Sequence, residues 1–180
     1  MSNWFVIWVM TGKELDVLAA IEGAPGVTQA LCPMEQLWYR REGRWESRLQ
    51  AMIPGYVFIQ CAMDTTIYYR VRGTPHVIGW LGTDSMWPSI VPEAEMAPVI
   101  QISTGQDPAS HLHDVTIDKR KRRGRGTLSL YGKAQKIVFT PRTDDKQPEN
   151  EQVDERPADD NGDHIQGDPE AAASGGEAQE

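Results

Sequence analysis

The sequence predicts an α+β fold, a mostly antiparallel β-sheet flanked by helices, followed by a short all-β segment and an acidic tail. Three observations carry that prediction. Apolar runs rich in aromatic and β-branched residues alternate with short helical patterns up to about residue 102. Beyond them, "DVTIDKRKRRGRGTLSLYGKAQKIVFT" alternates apolar and polar residues. Finally, charge divides the chain at Arg142: the residues up to it carry 16 basic and 13 acidic side chains, the last 38 carry 2 and 13, and the whole chain is at −8. The tail, residues 143–180, has almost no apolar side chains, so it cannot offset the entropy of ordering and is expected to be disordered.

Taken in order, "NWFVIWV" (3–9) is apolar on both faces and reads as a central strand covered on two sides. Alternation puts Trp4, Val6 and Trp8 on one face and Phe5, Ile7 and Val9 on the other. "MTGKELDVLAAIEGAPG" predicts a helix with Leu15, Leu18, Ala19 and Ile21 on its apolar face, stopped by Gly23 and Pro25. "VTQALCP" is a strand candidate. "QLWYRREGRWESRLQAM" (36–52) brackets Glu42-Gly43 with aromatic and arginine-rich segments, which predicts a hairpin with a basic, exposed tip. "IPGYVFIQC" is a strand entered through Pro-Gly, with Tyr56 and Phe58 on one face. "DTTIYYRVRG" predicts a helix capped by Asp64 or Thr65, "HVIGWLGT" a strand, and "VPEAEMAPVI" a short helix with Pro92 near its first turn.

These elements predict four segments: a main domain over 1–102, a polar linker over 103–113, a β segment over 114–142 and the tail over 143–180. In the β segment, Val115 and Ile117, Leu128 and Leu130, and Ile137 and Phe139 mark three short strands, because Gly124 and Gly126 break any helix. Cys32 and Cys61 are the only cysteines, no signal-peptide pattern is present and no apolar run approaches a membrane span. A cytoplasmic, monomeric protein without membrane contact is expected, with both thiols buried and unbonded.

The functional reading turns on binding. His76, His111, His113 and His164 lack cysteine partners at metal spacing, and neither a phosphate-binding glycine loop nor a nucleophile context occurs, so no enzyme, metal or cofactor is expected. Two features remain. Lys119, Arg120, Lys121, Arg122, Arg123 and Arg125 fill six of seven consecutive positions, which suits either a solvated turn, a cis partner for the acidic tail, or sequence-independent phosphate contact. The aromatic sheet face, if no helix covers it, suits a partner's helix.

"NWFVIWVMTGKE", Pro33, "MIPGYVFIQ", "VRGTPHVIGWLG" and "VPEAEM" together resemble, in order and spacing, the N-terminal domain of NusG-type transcription elongation factors over residues 3–102. Departures from the housekeeping form, with the basic segment that follows, resemble specialised antiterminators of the RfaH and LoaP kind. The resemblance implies a non-enzymatic factor that promotes processive elongation of particular operons. It implies binding to the β′ clamp helices of RNA polymerase through Trp8, Ile53, Tyr56, Phe58 and Trp80. Contact with the β-subunit gate loop would fall to Asp64, Thr65 and Thr66. Non-template DNA or nascent RNA would meet Lys13, Arg70 and Arg72 as well as the 119–125 run; Asp16 departs from the cation such a patch prefers. Residues 114–142 resemble the later strands of the family's KOW barrel, whose front half is missing, and three strands cannot close a barrel. Docking on the main domain, partial disorder and display of the cationic turn are all open to them. Two other functions fit the same residues: an RNA-binding protein built on the 119–125 turn, or a protein-interaction module without effect on transcription.

Overall fold

The computed structural model describes residues 1–82 and 87–142, all within one compact unit; the expectation of a disordered tail lies outside the described residues. In chain order the elements are β1 (Asn3–Val9), α1 (Glu14–Ile21), β2 (Val27–Leu31), β3 (Met34–Arg41), β4 (Arg44–Ala51), β5 (Tyr56–Cys61), α2 (Thr65–Arg72), β6 (Val77–Trp80), α3 (Glu93–Ser103), β7 (His113–Asp118), β8 (Arg123–Leu130) and β9 (Lys133–Phe139). The architecture is the expected α+β one. A four-stranded sheet has the order β2-β5-β1-β6 with every pairing antiparallel, β3 and β4 form a separate hairpin, and β7-β8-β9 form a three-stranded antiparallel sheet.

Because β1 is flanked by β5 and β6, its alternate residues face two different layers. Phe5, Ile7 and Val9 join Val57 and Ile59 against Val17 and Ile21 of α1 and Ile67 and Val71 of α2. Val6 joins Phe58, Met52 and Ile53 against Met96, Val99 and Ile102 of α3 and Leu128, Leu130, Ile137 and Phe139 of the C-terminal sheet. The second face is therefore not left open, as the sequence suggested it could be. Of the outcomes open to the C-terminal strands, docking is observed, and the cationic turn is exposed at one end of the docked sheet.

Local chemistry explains where the elements begin. Asp64 Oδ1 accepts the Ile67 N–H at 2.8 Å and so caps α2. At α1 the phase differs from the expected one: Glu14, Val17 and Ile21 are buried, while Leu15 and Ala19 are exposed. The cause is the Glu14 carboxylate, which accepts the Gly12 N–H at 2.8 Å and the Gly55 N–H at 2.7 Å. Satisfying both donors, of which the Gly55 N–H is buried, outweighs burial of the Leu15 side chain, and it clips the Pro54-Gly55 turn to the helix. Helix α3 runs past Pro98 to Ser103, and the segment read as a linker contains a helical turn over Pro108–Ser110 and the buried Leu112.

In the C-terminal sheet, Gly124 and Gly126 do more than stop a helix. A Cβ on Gly124 would lie 2.4–2.8 Å from the Phe139 ring, and one on Gly126 would lie 2.8 Å from Leu112 Cβ. The missing side chains let β8 sit flat against these neighbours. Gly124→Ala is expected to destabilise the chain by about 1–3 kcal/mol through overpacking, with Phe139→Leu in the same chain costing less than the sum of the two changes; urea unfolding followed by tryptophan fluorescence measures both. Glu14→Ala, which leaves the buried Gly55 N–H without its acceptor, should cost about 1–3 kcal/mol in the same assay. Burial pushes the Cys32 thiol up to about 12 and the Cys61 thiol up to about 11, helped by the charges of Glu14 and Asp64. Since the thiolate is the reactive form, neither should be alkylated in the native chain at pH 8, and both should react after unfolding.

Candidate functional site

The five residues assigned by resemblance to polymerase binding do not share one open surface. Trp8 is 48% exposed at the end of β1. Tyr56 is partly buried at the margin of the core, whereas Ile53 and Phe58 are 4% and 0% exposed beneath α3 and the C-terminal sheet. Trp80 pairs with Ile7 in the sheet and therefore points to the opposite face. There it makes an edge contact with Phe5 and stacks on Tyr68, and its indole N–H donates to the Tyr68 carbonyl at 3.4 Å.

The cover over Ile53 and Phe58 is fixed by polar contacts as well as apolar ones. Glu95, on α3, reaches across to the turn between β8 and β9. Its carboxylate accepts the Ser129 hydroxyl at 2.9 Å, the Tyr131 N–H at 2.6 Å and the Gly132 N–H at 2.9 Å. Charge-assisted bonds of this kind are stronger than neutral ones. The Tyr131 hydroxyl donates to the Ser89 carbonyl at 2.7 Å, and burial raises its pKa well above the usual tyrosine value. At the far end of the sheet, Thr140 Oγ1 donates to the Gln36 carbonyl at 2.7 Å. Composition gave no sign of Glu95: an acidic residue in the first turn of a helix is ordinarily read as favouring the helix dipole.

The cationic residues fall into two groups on opposite sides of the four-stranded sheet. Lys13, Arg70 and Arg72 lie on the α1 and α2 side, and each has a local partner: Lys13 pairs with Asp16 at 2.8 Å, Arg70 donates to the Pro25 carbonyl, and Arg72 donates to the Tyr68 hydroxyl at 3.2 Å. Thr65 and Thr66 are exposed in the first turn of α2, next to the capping Asp64. On the other side, the 119–125 run forms the turn between β7 and β8 and the start of β8. Asp118 Oδ1 accepts the Lys121 N–H at 3.1 Å, and Arg122 takes a positive φ of 49°, so the turn is built from its own sequence.

That turn sits beside the β3–β4 hairpin. The Arg123 guanidinium lies over the Tyr39 ring, 4.8 Å from its centroid, and a cleft of about 260 Å³ is lined by Trp38, Tyr39, Arg40 and Trp45 of the hairpin together with Arg120, Lys121 and Arg123. The sequence indicated a basic, exposed hairpin tip and a basic turn separately. Their juxtaposition depends on the docking of the C-terminal sheet, which no local pattern encodes. Among the described residues no group of three His, Cys, Asp or Glu side chains is placed to hold a metal, and no helix is long and apolar enough to cross a membrane.

With this geometry established, comparison with known proteins gives a consistent result. The family model for NusG, described as transcription termination factor nusG, matches residues 2–100. The transcription termination/antitermination protein NusG of Helicobacter pylori is 23% identical over 109 residues, which cover 56% of this chain and 61% of that protein. NusG of Pseudomonas aeruginosa is 26% identical over 109 residues, covering 56% of this chain and 60% of that protein. The match thus spans about three fifths of the length of these curated relatives. The solved structure "Domain interaction in Thermotoga maritima NusG" is similar with a TM-score of 0.53 at 19% identity, over 78% of this chain and 94% of that one, which shows a shared fold. Since the family model accounts for more than half of the sequence, the chain, with its KOW-like three-stranded C-terminal sheet, belongs to the NusG family.

Proposed function

We propose that the chain is a non-enzymatic, NusG-like transcription elongation and antitermination factor that binds RNA polymerase through the sheet face carrying Trp8, Ile53, Tyr56 and Phe58. In this reading residues 1–102 hold the polymerase-binding part, 114–142 form a KOW-like cover, and 103–113 join the two. The observation that carries the reading is the family match over residues 2–100 together with the aromatic face found at the matching strands. The β′ clamp helices would seat on that face and the β-subunit gate loop would meet Asp64, Thr65 and Thr66. Bridging the two would favour the closed, processive polymerase by binding it better than the open one. Trp80, buried at 7% exposure on the other face, would act by supporting β6 rather than by direct contact.

Burial of Ile53 and Phe58 adds a condition. A helix can reach them only after the cover formed by α3 and the C-terminal sheet moves away, so apparent affinity for polymerase would be lowered by the fraction of chains in that state. Phe58 is also unsuitable for testing the contact by truncation, since removing a fully buried phenylalanine costs about 3–5 kcal/mol of stability.

Trp8→Ala combined with Tyr56→Ala should lower binding of the full chain to core RNA polymerase at least tenfold while leaving the far-UV circular dichroism unchanged. Unaltered binding in a pull-down would remove the assignment. Glu95→Ala, which deletes the acceptor of three hydrogen bonds, should weaken the cover by about 1.5–3 kcal/mol and raise polymerase affinity about tenfold or more. Unchanged or weaker binding by a folded Glu95→Ala chain would show that the cover does not compete with polymerase.

A further inference from the structure

We propose that the cleft between the β3–β4 hairpin and the β7–β8 turn binds single-stranded nucleic acid, with Trp38 and Trp45 as stacking platforms for bases and Arg120, Lys121 and Arg123 as phosphate contacts. The inference rests on reading the 119–125 run as a phosphate-contacting surface, and it adds the base-stacking half that the run by itself lacks.

The hairpin register supplies the platform. Arg40 is directly opposite Trp45, and Trp38 lies two residues from Arg40, so all three side chains share one hairpin face. Both indoles are partly exposed and line the cleft rather than a core. The same cleft is lined by Arg120 and Lys121, both exposed, and by Arg123, whose guanidinium lies over Tyr39 and whose Nε is buried without a hydrogen bond. Over residues 38–46 and 118–125 there are nine basic and three acidic side chains. Of the three acids, Asp118 touches the site: its Oδ2 is 3.8 Å from Lys121 Nζ, with both side chains largely exposed, so the pair holds its charge only weakly.

The choice of ligand follows from combining the two halves. Phosphate alone would use the cations and leave the indoles idle. An acidic peptide would do the same. A duplex keeps its base faces inside the stack. An unpaired strand presents flat rings to Trp38 and Trp45 and a phosphate every nucleotide to the cations that line the same cleft, which is the pairing of stacking platform and cationic groove found in sequence-tolerant single-strand binders. At about 260 Å³ the cleft suits one or two bases rather than an enclosed small-molecule ligand.

The test uses the full chain without polymerase, titrated at low salt with fluorescein-labelled U10 RNA, dT10 DNA and a ten-base-pair duplex. Anisotropy reports binding, and quenching of tryptophan emission by the unlabelled strands reports stacking. Expected are binding and quenching with U10 and dT10, the ratio of the two affinities telling RNA from DNA, and no quenching with the duplex. Trp38→Ala and Trp45→Ala should each lower affinity about tenfold, with Trp45→Phe restoring most of it. Arg120→Ala with Lys121→Ala should lower affinity and reduce the salt slope by about 1.4. If the arginine and lysine changes weaken binding while the tryptophan changes do not, the cleft is overturned and the basic run survives as a simple phosphate contact. Absence of binding to either strand overturns both. A glutamate decamer that quenches the tryptophans and displaces U10 with comparable affinity would make the cleft an acidic-peptide site and likewise overturn the proposal.

Discussion

A strand that is apolar on both faces must be covered twice, and the rest of this structure follows from that constraint on β1. Helices α1 and α2 cover Phe5, Ile7 and Val9. Val6 and Phe58 on the other side receive α3 together with a second, three-stranded sheet. The three-stranded sheet buries Leu128, Leu130, Ile137 and Phe139 in a core shared with the preceding elements, and an aromatic sheet face left bare invites association. Each supplies what the other lacks. Phe139, Ile137, Leu128 and Leu130 complete a core that the preceding residues begin.

Specificity in that union comes from polar groups at its margin. Apolar surfaces alone would let the C-terminal sheet slide; bonds from it to Glu95 of α3, to the Ser89 carbonyl and to the Gln36 carbonyl of β3 fix its position. The same union places the turn of β7 and β8 beside the β3–β4 hairpin, so that covering the aromatic face and assembling the cationic cleft are one event. In a NusG-family chain this links two surfaces energetically. Whatever displaces the C-terminal sheet from Ile53 and Phe58 also dismantles the cleft at Trp38 and Trp45, and a strand held in the cleft would stabilise the covered state.

Much of this was legible from residue patterns. The period-two alternation in "NWFVIWV", the Pro-Gly entry to β5, the Asp64 cap and the Glu42-Gly43 turn are local signals, and the structure places a strand, a strand, a helix start and a hairpin at them. What escaped was set by contacts distant in sequence. Leu15 fits an apolar helical face as well as Val17 does, and only the two amides that Glu14 reaches decide between them. The family resemblance grouped Trp80 with Phe58, yet its pairing with Ile7 turns it to the other face. The aromatic face looked free because the segment that covers it lies some 70 residues further along. The three strands themselves were readable; their destination was not, since the signal for docking is complementarity of two surfaces that no window of sequence contains.

The most direct measurement is amide hydrogen exchange of the full chain, alone and bound to core RNA polymerase, resolved for β5, β8 and β9. In the free chain all three should be protected by the shared core. On binding, the account predicts that Leu128–Leu130 and Ile137–Phe139 exchange faster as the C-terminal sheet leaves, while Tyr56–Cys61 stays protected under its new partner. Continued protection of β8 and β9 in the bound complex would contradict it, because polymerase would then be held by a surface other than the one the C-terminal sheet covers.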